Sequence, residues 1–301
     1  MPPNFKQQQA QPPTVMVFDS GVGGLSVCQS ILASCPDVRI VYVADNAAFP
    51  YGTKSDEYLR ERIVNVLSEQ YITYHPDMLV IACNTASTLV LPELRERLSI
   101  PVVGVVPAIK PAASETQTGV IGLLATSATV QRSYTDQLIS DFAPHCEVVR
   151  VGSSRLVEIA EEYLRGEPVS GVELGEIISS FFCEDLSATV DKIVLGCTHF
   201  PLLRAQLEES SPKGVEWIDS GDAIALRVKN LLKNEAQEQV SSCSYQTDNL
   251  IHHVIFTGDE LINEFFESML FSLGFKHFKL AGNISFEQKL SKNAYSEKPK
   301  G

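Results

Sequence analysis

No CxxC pair occurs in this chain, and its seven cysteines lie far apart: Cys28, Cys35, Cys83, Cys146, Cys183, Cys197 and Cys243. An odd count at long spacings makes neither a disulfide framework nor a Cys/His zinc site. The chain therefore reads as a reduced, cytoplasmic protein with no metal. No apolar run approaches the ~18 residues that a membrane-spanning helix needs, so no membrane role is expected. The Gln- and Pro-rich start, residues 1–14, lacks the apolar stretch of a secretion signal and reads as disordered, as do residues 291–301. A basic surplus is missing too. Lys and Arg number 24 against 37 Asp and Glu, a formal net charge of −13, which argues against a nucleic-acid partner. An acidic chain that takes an anionic substrate needs local positive potential at the site. The familiar nucleotide loops are also absent. Ser20-Gly21-Val22-Gly23-Gly24 is glycine-rich, but the last glycine of a dinucleotide fingerprint would fall at Ser26, and no Gly-Lys follows for a Walker loop.

What the chain does have is core-forming material in a regular order. Hydrophobic residues make up 44% of its 301 residues, and at roughly 150 residues per domain the length predicts two domains. Val15–Phe18, Ile40–Val43, Met78–Ala82 and Pro101–Val106 read as strands separated by helical patterns. The longest helix is capped by Ser55 and carries Leu59, Ile63, Val66, Leu67 and Tyr71 as its apolar stripe. The same alternation resumes at residues 119–124, 146–151, 192–195 and 215–218. Strands alternating with helices predict an α/β fold with two pseudo-symmetric domains, each a mostly parallel sheet flanked by helices, and an active site in the cleft between them. We expect a first domain over residues 15–106 plus 215–290 and a second over 107–214. Residues 235–290 contain a strand-like Val254-Ile255-Phe256 and a helix beginning near Asp259, assigned to packing against the first domain. A weak internal repeat supports the division. Val17–Ser20 resembles Leu123–Thr126, Leu79–Thr85 resembles Ile193–Thr198, and Val103–Pro107 resembles Glu216–Ser220.

Ligands of open parallel sheets bind beyond the carboxyl ends of the strands. Asp19, Cys83 and Cys197 each follow an apolar run directly and so project from strand ends. Asn84-Thr85-Ala86-Ser87 offers helix N-caps after Cys83, and the positive helix terminus is expected to lower that thiol's pKa. Phe200-Pro201 opens another helix after Gly196-Cys197-Thr198-His199. A lone cysteine is usually structural. Two in matching places of two repeats are not explained that way, while Cys28 and Cys183 read as core or helix-face residues. The glycines after Asp19 offer bare backbone N–H groups, best suited to a small carboxylate. His199, two residues from Cys197, suits a general acid or a stabiliser of thiolate. Tyr51 and the Gly52 backbone, in the turn at residues 49–53, could donate hydrogen bonds to a carboxylate.

In combination, Phe18–Gly24, Pro50-Tyr51-Gly52, Ala82–Ser87 and Gly196–Pro201 resemble the glutamate racemase family, over about Val15 to Leu232. The resemblance implies conversion of L-glutamate to D-glutamate for peptidoglycan, without pyridoxal phosphate, metal or other cofactor. It makes Cys83 and Cys197 the catalytic pair, with Cys83 deprotonating the D isomer and Cys197 the L isomer. Asp19 then belongs beside Cys83 and His199 beside Cys197. Ser20, Tyr51, Gly52, Asn84, Thr85 and Thr198 match positions that hold the substrate, as do Asp19 and His199. A family glutamate falls on Glu161, with Glu158 as its rival, because Ser153-Ser154-Arg155 stands where many relatives have Cys-Pro. The family also implies a homodimer or monomer–dimer equilibrium, and a nucleotide-linked peptidoglycan precursor as activator in some members.

Three other readings stay open on the sequence. An aspartate racemase of the same superfamily would differ in pocket length. A hydrolase built on Cys197 and His199 would leave the setting of Cys83 unexplained. A two-domain binding module of the periplasmic type would need an export signal.

Overall fold

A computed structural model describes residues 11–183, 188–238, 250–258, 264–275 and 277–281. Of the tails expected at residues 1–14 and 291–301, residues 1–10 and 291–301 lie outside the described residues, as does Cys243; Thr14, expected in the tail, is buried and opens the first strand instead.

The first half of the chain runs β1 (Thr14–Asp19), α1 (Leu25–Ser34), β2 (Arg39–Ala44), α2 (Asp56–Tyr74), β3 (Met78–Ile81), α3 (Asn84–Arg97), β4 (Val102–Gly104) and α4 (Ile109–Glu115). It continues through β5 (Val120–Ala125), α5 (Ser127–Val130), α6 (Ser133–Phe142), β6 (Glu147–Gly152), α7 (Arg155–Leu164), α8 (Gly171–Ile178), β7 (Lys192–Leu195), α9 (Arg204–Glu209) and β8 (Glu216–Ile218). The last elements are α10 (Gly221–Glu238), β9 (His252–Phe256), α11 (Glu264–Ser272) and β10 (Phe278–Ala281).

These strands form two parallel sheets, in the orders β10-β9-β2-β1-β3-β4 and β6-β5-β7-β8. The second order repeats the β2-β1-β3-β4 part of the first, strand for strand. β1 matches β5, β3 matches β7 and β4 matches β8, which is the correspondence the sequence repeat traces. The domain boundary expected at residue 215 needs correction. β8 pairs with β7 through Ile193 and Trp217, so the second unit keeps the chain up to Ile218. The chain then returns through α10, which packs on α1. Beside the two crossings, the Ser220 hydroxyl donates to the Val106 carbonyl at 2.5 Å. β9 pairs with β2; Asp259, where a helix is expected to begin, lies outside the described residues, and α11 spans Glu264–Ser272.

The first sheet is buried on both faces, as its apolar, non-alternating strands require. One face of the first sheet packs Val15, Val17 and Val80 on Leu25 and Ile31 of α1 and Val228 of α10. Its other face packs Met16, Phe18 and Ile81 on Leu59 and Ile63 of α2 and Val90 of α3. Each fully buried side chain of this size contributes roughly 1.5–3 kcal/mol. α2 starts where the sequence places it, with the Ser55 hydroxyl accepting the Tyr58 N–H at 3.3 Å. Among the described residues no helix is long and apolar enough to cross a membrane.

Candidate active site

The carboxyl ends of β1, β3 and β7 converge between the two units. β1 ends on Asp19 itself, while Cys83 and Cys197 each stand two residues beyond the last residue of β3 and β7. A cavity of about 190 Å³ opens there. The first unit supplies Ser20, residues 49–53, Cys83, Asn84 and Thr85 to its wall. The second supplies residues 126–129, Ser154, Val157, Glu158 and residues 196–199. Of the residues expected to hold substrate, Ser20, Tyr51, Gly52, Asn84, Thr85, Thr198 and His199 line this space. Asp19 and Glu161 sit behind the wall.

Cys83 is the N-cap of α3 and only 6% exposed. Its thiol lies 3.6 Å from the Ser20 hydroxyl, which in turn donates to Asp19 Oδ1 at 3.3 Å. Asp19 is fully buried and accepts two further hydrogen bonds, from the Gly21 N–H at 2.9 Å and the Thr198 hydroxyl at 2.9 Å. Burial still raises the Asp19 carboxyl above its ordinary range, against the pull of the His199 charge and these donors. The expectation of a lowered pKa at Cys83 is overturned. Burial first, and the Asp19 charge second, push the thiol up to about 12 and outweigh the hydrogen bond from the Ala86 backbone. Nor do residues 84–87 cap α3. They form its first turn, and the Ser87 hydroxyl donates back to the Ile81 carbonyl at 3.0 Å.

Cys197 has a different neighbour. Its sulfur lies 3.8 Å from His199 Nδ1, and His199 Nε2 meets Glu161 Oε1 at 2.8 Å. Burial opposes a charge on the imidazole. The hydrogen bonds and charges of Cys197 and Glu161 prevail, and His199 is raised well above its ordinary value. Glu161 moves the other way: His199, the Val22 N–H and Arg165 overcome burial and hold its carboxyl low. Of the two rival glutamates, Glu161 is the one that reaches His199. Glu158 faces the cavity and pairs with Arg155 at 3.2 Å.

The glycine-rich loop does bind carboxylates, but they are the protein's own. The Gly21 N–H is spent on Asp19, and the Val22 N–H donates to Glu161 at 3.2 Å. The loop's bareness makes room for the second unit, since a Cβ at Gly23 would fall into the His199 ring. Tyr51 is also less free than the sequence suggests, because its hydroxyl donates to Asp45 at 2.6 Å.

Sequence reasoning missed Thr126, Ser127, Thr129 and Ser154 in the wall, and Phe49, whose ring lies 5.7 Å from that of His199. The internal repeat carried a signal for one of them, since Thr126 is the counterpart of Ser20. Among the described residues no Lys or Arg lines the cavity, and the groups in its wall that favour an anion are His199 and the start of α3. Hydroxyls and backbone donors fill the rest of the wall. Asn84 Oδ1 is buried without a partner among the described residues, an acceptor suited to an ammonium group in the cavity.

The family model for Asp/Glu/hydantoin racemases matches residues 20–228. A glutamate racemase of Pectobacterium carotovorum is 52% identical over 222 residues, covering 74% of this chain and 77% of that protein. A Salmonella typhimurium glutamate racemase is 51% identical over 230 residues, covering 76% and 81%. Among solved structures, the Escherichia coli glutamate racemase in complex with L-glutamate and the activator UDP-MurNAc-Ala superposes with a TM-score of 0.79 at 43% identity, covering 90% of this chain and 98% of that one. The chain thus belongs to the Asp/Glu/hydantoin racemase family, and within it to the glutamate racemases.

Proposed function

We propose that this racemase interconverts L- and D-glutamate by a two-base route through Cys83 and Cys197, with no cofactor. One sulfur takes the α-proton from one face of the substrate carbon, and the other sulfur returns a proton to the opposite face. The observation that carries this reading is the pair's placement: the thiols project from equivalent strand ends of two units into one cavity.

Cys197, beside the His199 cation, takes the proton of L-glutamate. Cys83, held as a thiol by burial and Asp19, supplies the proton that completes D-glutamate. In the reverse direction Cys83 must first become a thiolate. Its proton can pass to Ser20 while the Ser20 proton passes to Asp19, which neutralises the charge that opposed ionisation. The raised Asp19 carboxyl favours that transfer.

Removing the α-proton builds charge on a carboxylate that is already anionic. Asn84 and Thr85 stand at the start of α3 where they can hold it, together with the Thr198 N–H, since the Thr198 hydroxyl is spent on Asp19. Losing one such donor typically costs roughly 10²–10³ in rate. The Asn84 side-chain oxygen serves the substrate ammonium.

The D isomer supplies peptidoglycan. By similarity to the Escherichia coli complex, a nucleotide-linked peptidoglycan precursor activates the enzyme, and added UDP-MurNAc-Ala is expected to raise kcat. The expected assembly is a homodimer or a monomer–dimer equilibrium.

The test is incubation of each isomer in D₂O with dialysed, reduced protein. Early product carries deuterium at Cα while remaining substrate stays protonated. Product that retains the substrate's own hydrogen, or no turnover of either isomer, excludes the two-thiol route.

A further inference from the structure

A buried carboxylate outside the proton-transfer groups stands directly beneath one wall of the cavity. Asp45 stands one residue past the end of β2, whose last residue Ala44 pairs with Asp19 of β1, and its side chain is fully buried. Four donors from three separate segments converge on it. Arg62 of α2 forms a bidentate pair, Nε to Oδ2 at 2.8 Å and Nη2 to Oδ1 at 2.6 Å. The Tyr51 hydroxyl donates to Oδ2 at 2.6 Å, and the Thr257 hydroxyl, just past β9, donates to Oδ1 at 2.6 Å. The Asp45 N–H also donates to the Asp19 carbonyl at 2.8 Å.

Burying a carboxylate is costly unless it is paired and fully hydrogen-bonded, and breaking such a pair is strongly destabilising. The Tyr51 ring packs in a buried apolar cluster with residues such as Ala48, Leu59 and Ile63, so the charge is held at the edge of that cluster by its donors alone. What the charge does is tie segments together. Tyr51 belongs to residues 49–53, a continuous strip of the cavity wall next to Cys83. The strip has no α-helix or strand of its own beyond a single tight turn at Tyr51–Thr53. Burial, and then the Asp45 charge, push the Tyr51 hydroxyl well above the ordinary phenol range, so it remains a donor to Asp45.

We infer that Asp45 is a positioning residue for glutamate binding: gripped by Arg62 and Thr257, it anchors Tyr51 and so fixes the Pro50–Thr53 wall against the substrate. Because it touches no reacting atom, its loss should weaken binding and leave the proton transfers intact. This rests on the cavity being the glutamate site. The D₂O experiment tests that separately, so the two can fail independently.

The test is steady-state kinetics in both directions on Asp45→Asn, Tyr51→Phe and Thr257→Val, with thermal melts. Asp45→Asn should raise KM for both isomers about tenfold while kcat changes less than about threefold, the pattern of lost uniform binding. Tyr51→Phe and Thr257→Val, which each remove one hydroxyl, should raise KM by about threefold with kcat kept. Adding Tyr51→Phe to Asp45→Asn should raise KM no further, because both act through one bond. Folded variants with unchanged KM, or with kcat lost at constant KM, overturn the assignment. Additive effects in the double variant overturn it too. If Asp45→Asn does not fold, the two hydroxyl variants decide alone.

Discussion

Cys83 and Cys197 occupy equivalent strand ends in two sheets of the same order, yet their charged neighbours have opposite sign. Cys83 reaches the Asp19 carboxylate through Ser20 and is held as a thiol. Cys197 lies against a histidine that Glu161 keeps cationic. On the proposed two-base route this inequality readies the site for L-glutamate, since one sulfur must start without its proton and the other with it, and the reverse direction exchanges the roles. Two identical half-sites would favour the same protonation state at both. The duplicated fold supplies the opposed geometry, and the neighbours that differ between the halves supply the electrostatic bias.

Neutralising each helper separately is the strongest way to break the comparison. Asp19→Asn and His199→Asn should each lower kcat/KM by about 10²-fold, the usual scale for losing acid–base assistance. The isomers are equal in free energy, so kcat/KM must fall equally in both directions. The halves separate instead in the primary isotope effect with substrate deuterated at Cα. It should grow for D-glutamate in Asp19→Asn and for L-glutamate in His199→Asn. A rise for the same isomer in both variants would show that the helpers do not serve separate sulfurs.

Thiol labelling sharpens the same contrast. Only thiolate reacts, so iodoacetamide near neutral pH should modify Cys197 at least about tenfold faster than Cys83. Peptide mass spectrometry follows each site. Since Cys83 ionises near 12, its labelling should climb about tenfold per pH unit between pH 7 and 10. Asp19→Asn should speed it at fixed pH, because the Asp19 charge is one of the causes that raise this thiol.

Much of this was legible in the sequence. Apolar runs ending on Asp19, Cys83 and Cys197 announced the strand ends, and the internal repeat matched three of the four strand pairs that the two sheets share. What stayed hidden depends on contacts between distant residues. The bond from Thr198 to Asp19 joins positions 179 apart. The Cys83 thiol is set by burial that no local pattern encodes, so a helix start alone gave the wrong direction. Tyr51 loses its free hydroxyl to Asp45, whose role becomes visible only when α2 and the chain after β9 arrive beside it. The boundary at residue 215 ran against the repeat itself, which matches Val103–Pro107 to Glu216–Ser220 and so puts β8 in the second unit, where it pairs with β7.

A smaller effect probes the link between Cys83 and its helper. Ser20→Ala removes the hydroxyl between sulfur and carboxylate and should lower kcat about tenfold, toward the low end for lost proton transfer. An isotope effect that grows for D-glutamate alone would place the loss on the Cys83 side.

The most direct measurement asks each sulfur which face it serves. Single variants Cys83→Ala and Cys197→Ala, incubated with each isomer in D₂O, should both lose racemisation by about 10³-fold or more. Each should keep slow deuterium exchange without inversion for one isomer. The enzyme retaining Cys83 should exchange D-glutamate, and the enzyme retaining Cys197 should exchange L-glutamate. Exchange of the same isomer by both variants, or racemisation surviving in either, would contradict two opposed thiols.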